Sequence, residues 1–198
     1  IHSIRQLYPD LPISVDTSKA RVMAEAIAVG ADIINDVRAL QEPEALEVAV
    51  AAKVPVCLMH MQGQPRSMQH QPSYQQVVLE VLAFLQQRAE VRIAAGIARQ
   101  QIIFDPGFGF GKSLAHNYEL LSAMSQFVET GYPVLAGMSR KSMIGQLLNR
   151  DVAERLAGSI ACATIAVMKG AQIIRVHDIK ETADAIKIAQ ATKFGVNA

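Results

Sequence analysis

Residues 101–113 read QIIFDPGFGFGKS, and the fold turns on how this stretch is read. Ile102, Ile103 and Phe104 make an apolar run of strand length that ends in Asp105 and Pro106, with glycines at 107, 109 and 111 before Lys112. The pattern predicts a buried strand that delivers a carboxylate at its end, then a loop whose backbone can approach a ligand closely. Two other glycine-loop readings fail on spacing. A phosphate-cradling P-loop needs a glycine five residues before the second glycine of its Gly-Lys-Ser, where Pro106 stands. A GxGxxG dinucleotide fingerprint needs its third glycine where Lys112 stands. What remains is an acid at the C-terminal end of a strand, followed by a glycine-rich loop carrying Phe108 and Phe110. In a βα barrel, polar residues in that position belong to the active site; a plain strand-end turn is the alternative.

Working outward, short apolar strands alternate with longer helical segments, the pattern of βαβ units and a parallel sheet. The first dozen residues read as a helix tail and a turn. Strand 13–16 ends in Asp16, after which Thr17 and Ser18 are placed to cap a helix running to Gly30. Strand 32–36 ends in Asn35 and Asp36, and Pro43 opens the next helix with Glu42 and Glu44 at its positive end. Strand 55–61 leads into the polar loop QGQPRSMQHQPS and a helix over 74–95. Beyond the central strand come a helix over 117–129, a strand over 132–137 feeding MSRKSMIGQLL, an apolar helix over 153–168, a strand over 171–178 and a closing helix over 181–192.

That makes about six strand–helix units, whereas a closed (β/α)8 barrel takes eight in roughly 250 residues. An open doubly wound sheet accommodates six strands, but it gathers ligand groups mainly at its switch point. Here nearly every strand ends in a polar residue, and a barrel gathers all strand ends around one mouth. The expectation is therefore an α/β chain with six of the eight units of a TIM barrel, residues 1–198 belonging to one domain whose first two units are absent.

Composition narrows the partners. At 198 residues the chain is about one domain long, and its 51% hydrophobic content with no Trp and only 5% aromatics calls for aliphatic and alanine packing. A net charge of +1 without a basic run argues against nucleic acid. Cys57 and Cys162 lie far apart with no CxxC, as expected of reduced thiols in a cytoplasmic protein. No stretch reaches the ~20 apolar residues of a membrane span. The first residue is Ile1 and not Met, which leads us to expect a longer parent chain.

The candidate site collects Asp16, Asn35, Met59, His60, Asp105, Phe110, Lys141, Ser142, Arg175 and His177 at one rim. Each has a plain structural reading beside the functional one. Asp16 precedes Thr-Ser and suits a helix cap, Asn35 and Asp36 suit loop amides, and His60 between two methionines suits a core histidine. Lys141 at a helix start calls for a facing anion or acid. Arg175, in an apolar strand, must reach an anion or carboxylate, since burying it unpaired costs about several kcal/mol, and His177 two residues on points to the same side. Asp16, Asn35 and Asp105 suit a flat heterocycle rich in N–H donors; Lys141, Arg175 and His177 suit ring oxygens or a phosphate-like anion. Binding alone thus suggests a nitrogen heterocycle with a phosphorylated arm.

The runs ISVDTSKA, DIINDVRAL, CLMHMQGQPRSMQ, IIFDPGFGFGKS, LAGMSRKSMIGQLL and QIIRVHD, in this order, resemble the bacterial dihydropteroate synthase family over essentially the whole chain, with DPGFGFGK and GMSRKS the most specific. The resemblance implies a (β/α)8 barrel, a homodimer, Mg²⁺, and condensation of 6-hydroxymethyl-7,8-dihydropterin pyrophosphate with 4-aminobenzoate in folate synthesis, at the sulfonamide target. It implies a pterin pocket of Asp16, Asn35, Met59, Asp105, Gly137, Lys141 and Arg175, with Asp105 pairing the 2-amino and ring N–H groups. Arg175 and His177 would hold the pyrophosphate, and Phe110, Lys141 and Ser142 would shape the aminobenzoate site. Lys141, Arg175, Asp16 and Asp105 would carry the catalysis, through departure of pyrophosphate before amine attack. The family's N-terminal loops of the type NxTPDSFSDGG and ESTRPG do not occur here, so no Mg²⁺ ligand is expected in this chain, and we expect the intact protein to be about 80 residues longer. Competing readings are a methyltetrahydrofolate-dependent methyltransferase barrel, a metal-dependent hydrolase using His60, His177, Asp16 and Asp105, and a non-catalytic pterin-binding module.

Overall fold

The computed structural model describes residues 1–63 and 72–196; most of the polar loop expected at 62–73 lies outside them. The described residues carry six strands, all in parallel pairs, in two sheets of four and two. The six βα units read from the sequence are therefore present. The chain divides into two compact units, the first made of Ile1–His60 and Ala83–Asp105, the second of Met61–Leu82 and Pro106–Ala198.

In the first unit the strands run in the order β1 (Ser14–Asp16), β2 (Ile33–Asp36), β3 (Val56–Met59) and β4 (Ile102–Asp105). Every residue of β3 and β4 is buried, which is why these strands read as unbroken apolar runs and not as alternating ones. Edge strand β1 is shorter and more open, with Ser14 and Asp16 exposed. The core on this sheet is aliphatic: Ile34, Val56, Leu58, Leu85, Ala89, Ile102 and, as its main aromatic, Phe104 are all fully buried.

Helix α1 (His2–Leu7) is fastened by Arg5, which donates to the carbonyls of Gly30 and Leu11 and pairs with Asp32 at 2.5 Å. Helix α2 (Ala20–Ala28) starts later than its sequence suggests. Lys19, not Thr17 or Ser18, is its N-cap, because the Thr17 hydroxyl accepts from the Lys19 amide while the Ser18 hydroxyl is taken by Asp36. Helix α3 (Ala45–Ala52) likewise begins two residues beyond Pro43, after Glu44 in a left-handed conformation.

Past β2 the chain makes a tight loop with Ala39 and Leu40 both at positive φ, 51° and 56°. Asp36 accepts from the amides of Arg38 and Leu40, both at 2.8 Å, so it serves loop amides as its position suggested. Arg92, on helix α4 (Val77–Ala94) and only 2% exposed, donates Nη2 to the carbonyls of Ala39 and Leu40. Burial and the neighbouring Arg88 draw the Arg92 pKa down, with Asp36 opposing them.

In the second unit, Ser113 caps helix α5 (Leu114–Ser122), its hydroxyl accepting from the His116 amide at 3.2 Å. The helix expected over 117–129 thus starts earlier, and it breaks at Ala123 (φ −92°, ψ 13°) before α6 (Met124–Val128). The strands expected over 132–137 and 171–178 keep their ladder only as β5 (Leu135–Ala136) and β6 (Ile173–Ile174). The apolar helix expected from 153 opens as a 3-10 turn, Val152–Glu154, and is α-helical as α8 (Leu156–Met168), packed on α9 (Ile179–Phe194). Between β5 and α7 (Ser142–Leu148), Arg140 holds a left-handed turn at φ 57°. Its amide donates to the Ser159 hydroxyl at 2.9 Å, its carbonyl accepts from Arg155 at 2.9 Å, and its guanidinium pairs with Asp178. The hydrogen bond from Arg140 holds the Asp178 carboxyl below its usual value.

Two outcomes follow from these contacts. Replacing Arg92 with Met strips two buried carbonyls of a charged donor and is expected to cost about 2–3 kcal/mol in urea denaturation, against less than about 0.5 for Arg21→Ala in an exposed helical pair. Asp178, and Asp32 under its bonds from the Ile13 amide and Arg5, have depressed folded-state pKa values. Their stabilisation is therefore complete above the unfolded carboxyl value near about 4 and is lost as pH falls through the folded values. Asp178→Asn and Asp32→Asn together are expected to flatten the fall of thermal midpoint below about pH 4, and an unchanged slope would contradict this.

Candidate functional site

Parallel register decides which strand residues face together. Asp16 is paired with Asn35, Asn35 with Cys57, Cys57 with Ile103 and Met59 with Asp105. Registered partners in neighbouring parallel strands point to the same side, and so do residues two apart in one strand. Asp16, Asn35, Met59 and Asp105 therefore share one face of the four-stranded sheet. Asp36 belongs to the other face with Leu58 and Phe104.

On that face Asn35 is 4% exposed, Met59 and Asp105 1% each, and Asp16 is exposed at the open edge. A carboxylate and an amide buried at the ends of apolar strands present acceptors where water is excluded, the condition under which hydrogen bonds to a polar ring discriminate best. His60 extends the ladder by donating its amide to the Asp105 carbonyl at 3.0 Å, and its ring meets the Phe84 ring edge-on at 4.9 Å between centroids. That is the packing of a core histidine.

The second unit holds the glycine-rich loop and the cations. Gly107, Gly109 and Gly111 all adopt positive φ, 72°, 77° and 62°. At Gly111 a side chain would also overlap the Gln62 backbone, so two independent constraints demand glycine there. Lys112 turns inward, 4% exposed, donating to the Gly107 and Phe110 carbonyls at 2.9 and 3.1 Å. Asn117 accepts from the Gly109 amide at 2.7 Å, and the Tyr74 hydroxyl donates to the Gly111 carbonyl at 2.8 Å. Burial pushes the Tyr74 phenol up, keeping it a donor.

Against this loop lies Lys141, the N-cap of α7. Its Nζ donates to the Phe108 carbonyl at 2.6 Å and stands 4.7 Å from the centre of the Phe110 ring. A cavity of about 130 Å³ is lined by Gly137, Ser139, Lys141, Arg175, Val176 and His177. Arg175 lies close over Gly137, where a Cβ would stand 2.8 Å from Nη2 and displace the guanidinium. The Ser139 hydroxyl accepts from the His177 amide at 3.2 Å and lies 3.0 Å from its ring Nδ1. Arg175 and His177 thus meet one cavity, as their spacing suggested, and three nitrogen-donor side chains with a hydroxyl around so small a space suit an anion. Ser142 is exposed at the first position of α7.

The expected residues fall into two sets, one per unit: Asp16, Asn35, Met59 and Asp105, then Gly137, Phe110, Lys141, Ser142, Arg175 and His177. Sequence reading passed over Lys112, Asn117, Ser139 and Tyr74. Lys112 had a visible signal, a cation inside a glycine loop that fits no phosphate motif; Asn117 and Tyr74 had none, since their partners are backbone groups, those of Gly109, Lys112 and Ser113 for Asn117 and that of the distant Gly111 for Tyr74. Among the described residues no three His, Cys, Asp or Glu side chains group to hold a metal ion. No described helix is long and apolar enough to cross a membrane.

A family model described as pterin binding enzyme matches residues 1–177. The chain is 57% identical over 192 residues to the dihydropteroate synthase of Haemophilus influenzae, covering 97% of this chain and 70% of that protein. It is 56% identical over 180 residues to that of Escherichia coli, covering 91% and 64%. Among solved structures it is similar to Yersinia pestis dihydropteroate synthase in a sulfonamide drug complex, with a TM-score of 0.95, 54% identity and coverage of 97% and 70%. It is also similar to Xanthomonas albilineans dihydropteroate synthase in complex with 7,8-dihydropteroate, with a TM-score of 0.91, 43% identity and coverage of 98% and 72%. The chain spans about two thirds of the length of these relatives, and over that span it belongs to the pterin-binding enzyme family, among the dihydropteroate synthases.

Proposed function

We propose that the protein carrying this chain joins 6-hydroxymethyl-7,8-dihydropterin pyrophosphate to 4-aminobenzoate, forming 7,8-dihydropteroate and pyrophosphate. The observation that carries the reading is the sheet face on which parallel register gathers Asp16, Asn35 and Asp105, the last two buried. A pterin edge presents a 2-amino group beside ring N–H groups, and one carboxylate accepts from both. The cavity of Ser139, Lys141, Arg175 and His177 supports the second half, a pyrophosphate arm. The family model runs without interruption across both units, which supports treating residues 1–198 as part of one pterin-binding domain.

In this reading Asp105, Asn35 and Asp16 bind the ring, Met59 lines the pocket, and Gly137 leaves room for Arg175 over the ring. Arg175 and His177 take up the charge of the departing pyrophosphate. The carbon–oxygen bond breaks first, and its electron pair leaves with the pyrophosphate. The methylene left behind is a cation delocalised into the dihydropterin, favoured by the negative charge of Asp16 and Asp105 in a preorganised site. The amine of 4-aminobenzoate, positioned by Phe110, Lys141 and Ser142, then attacks that carbon and gives up a proton. Lys141 reaches the pterin carbonyl from its place against the Phe108 carbonyl. Mg²⁺ belongs to the proposal as a counter-ion of pyrophosphate, although the described residues form no cage for it. A cytoplasmic homodimer completes the reading; the exposed Leu147, Leu148, Val152, Ile165 and Met168 near α7 and α8 offer it an apolar surface, and the two buried free thiols fit a reducing compartment.

Calorimetric titration with the dihydropterin pyrophosphate tests the first half: binding is expected for the native protein and is expected to vanish in Asp105→Ala. Failure of a folded native protein to bind would end the reading. Arg175→Met is expected to lower kcat about 10²- to 10³-fold, as loss of a donor to developing charge does, while weakening the affinity for the unphosphorylated 6-hydroxymethyl pterin only about two- to fivefold, the worth of a cation over its ring. Binding without pyrophosphate release in the native protein would point instead to a non-catalytic pterin-binding module.

A further inference from the structure

The peptide joining Phe108 to Gly109 is held from both edges. On one, the Gly109 N–H donates to Asn117 Oδ1 at 2.7 Å; on the other, the Phe108 carbonyl accepts from Lys141 Nζ at 2.6 Å. The orientation of the Asn117 amide is unambiguous, because its nitrogen faces the Ser113 carbonyl at 2.7 Å and only its oxygen can meet an N–H. Asn117 is itself 3% exposed and rigidly placed on α5, one turn from the Ser113 cap. A peptide that ends in a glycine at φ 77° has an accessible flipped orientation, since glycine populates both signs of φ. In the flipped form the carbonyl would point away from Lys141 and the N–H toward it.

We infer that Asn117 is a positioning residue for Lys141, acting through the Phe108–Gly109 peptide. By accepting from the N–H it locks the plane that aims the carbonyl at the ammonium, and it polarises that carbonyl, since hydrogen bonds in series strengthen one another. The ammonium is thereby fixed over the Phe110 ring at the edge of the cavity it shares with Arg175. Lys112 contributes from inside the loop by holding the carbonyls of Gly107 and Phe110 on either side of the same peptide. This deepens the assignment of Lys141 to substrate binding and rests on it.

The test is a double-mutant cycle on the intact protein, with the dihydropterin pyrophosphate as the probe, comparing Asn117→Ala, Lys141→Ala and the pair. Asn117→Ala alone is expected to weaken binding about three- to tenfold, the worth of one hydrogen bond. In the Lys141→Ala background the same change is expected to leave affinity unaltered. Equal losses in both backgrounds would overturn the inference, because a merely structural asparagine weakens binding whether or not Lys141 is present. Should Asn117→Ala fail to fold, Asn117→Ser, too short to reach the Gly109 amide, carries the same cycle. No effect of Lys141→Ala itself on binding would instead refute the assignment of Lys141 on which the inference rests, an outcome distinct from equal losses in both backgrounds.

Discussion

A strand has two faces and its side chains alternate between them, so a strand in a parallel sheet must serve two environments with alternate residues. That constraint governs the first unit. Val15, Ile34, Val56, Leu58, Ile102 and Phe104 take one face and make the apolar core, while Asp16, Asn35, Met59 and Asp105 take the other. A slip of one residue in any strand would exchange the sets, burying Asp16 or Asp105 among aliphatic side chains without a partner. The polar face and the stability of the sheet are thus fixed by one register. Asp36, the polar residue on the core-side face, is accommodated only because it accepts from two loop amides and from Ser18.

The second unit solves a different problem, how to hold cations near one another. Lys112, Lys141 and Arg175 all lie on or beside the glycine-rich loop and the turn after β5. The loop meets this with carbonyl oxygens: three successive positive-φ glycines turn the carbonyls of Gly107, Phe108 and Phe110 toward two ammonium groups. A loop of ordinary residues could not expose so many carbonyls on one side, because alternate φ signs are costly for any side chain with a Cβ. The glycines therefore create a negative lining for lysines, which is the opposite of the amide-lined cradle that glycine loops make for phosphates. The failure of the P-loop spacing and the inward turn of Lys112 have this common cause.

The strand ends were legible because two local signals agree there: an apolar run of fixed length, and a polar residue that terminates it. Asp16, Asn35, Asp105 and Arg175 all carry both. Helix boundaries were less legible wherever a tertiary partner took the expected cap. Ser18 is an acceptable N-cap by chemistry, yet its hydroxyl is taken by Asp36, eighteen residues away, and α2 starts on Lys19 instead. The interruption at Ala123 carries no sequence mark at all, since alanine is the best helix former. Strands β5 and β6 were read too long because the apolar pattern continues through residues that leave the ladder to build polar turns.

The division of labour between the two units bears on how tightly each group is held. Asn35 and Asp105 are fixed by the backbone itself, since their Cα positions belong to the sheet and local motion there would break ladder bonds. Lys141 has a four-carbon stem and no such restraint, and its fixed position depends on contacts made by its head group. A flexible cation aimed at a developing charge contributes little unless its donors are preorganised, because reorienting them then consumes the electrostatic gain. The Phe108 carbonyl, the Phe110 face and the Asn117 amide behind them are the means by which a long side chain acquires the order that a strand end has by construction. It follows that Asn117, which braces the glycine loop without touching the reacting atoms, is expected to act on the chemistry through Lys141, with a smaller effect than the groups at the strand ends.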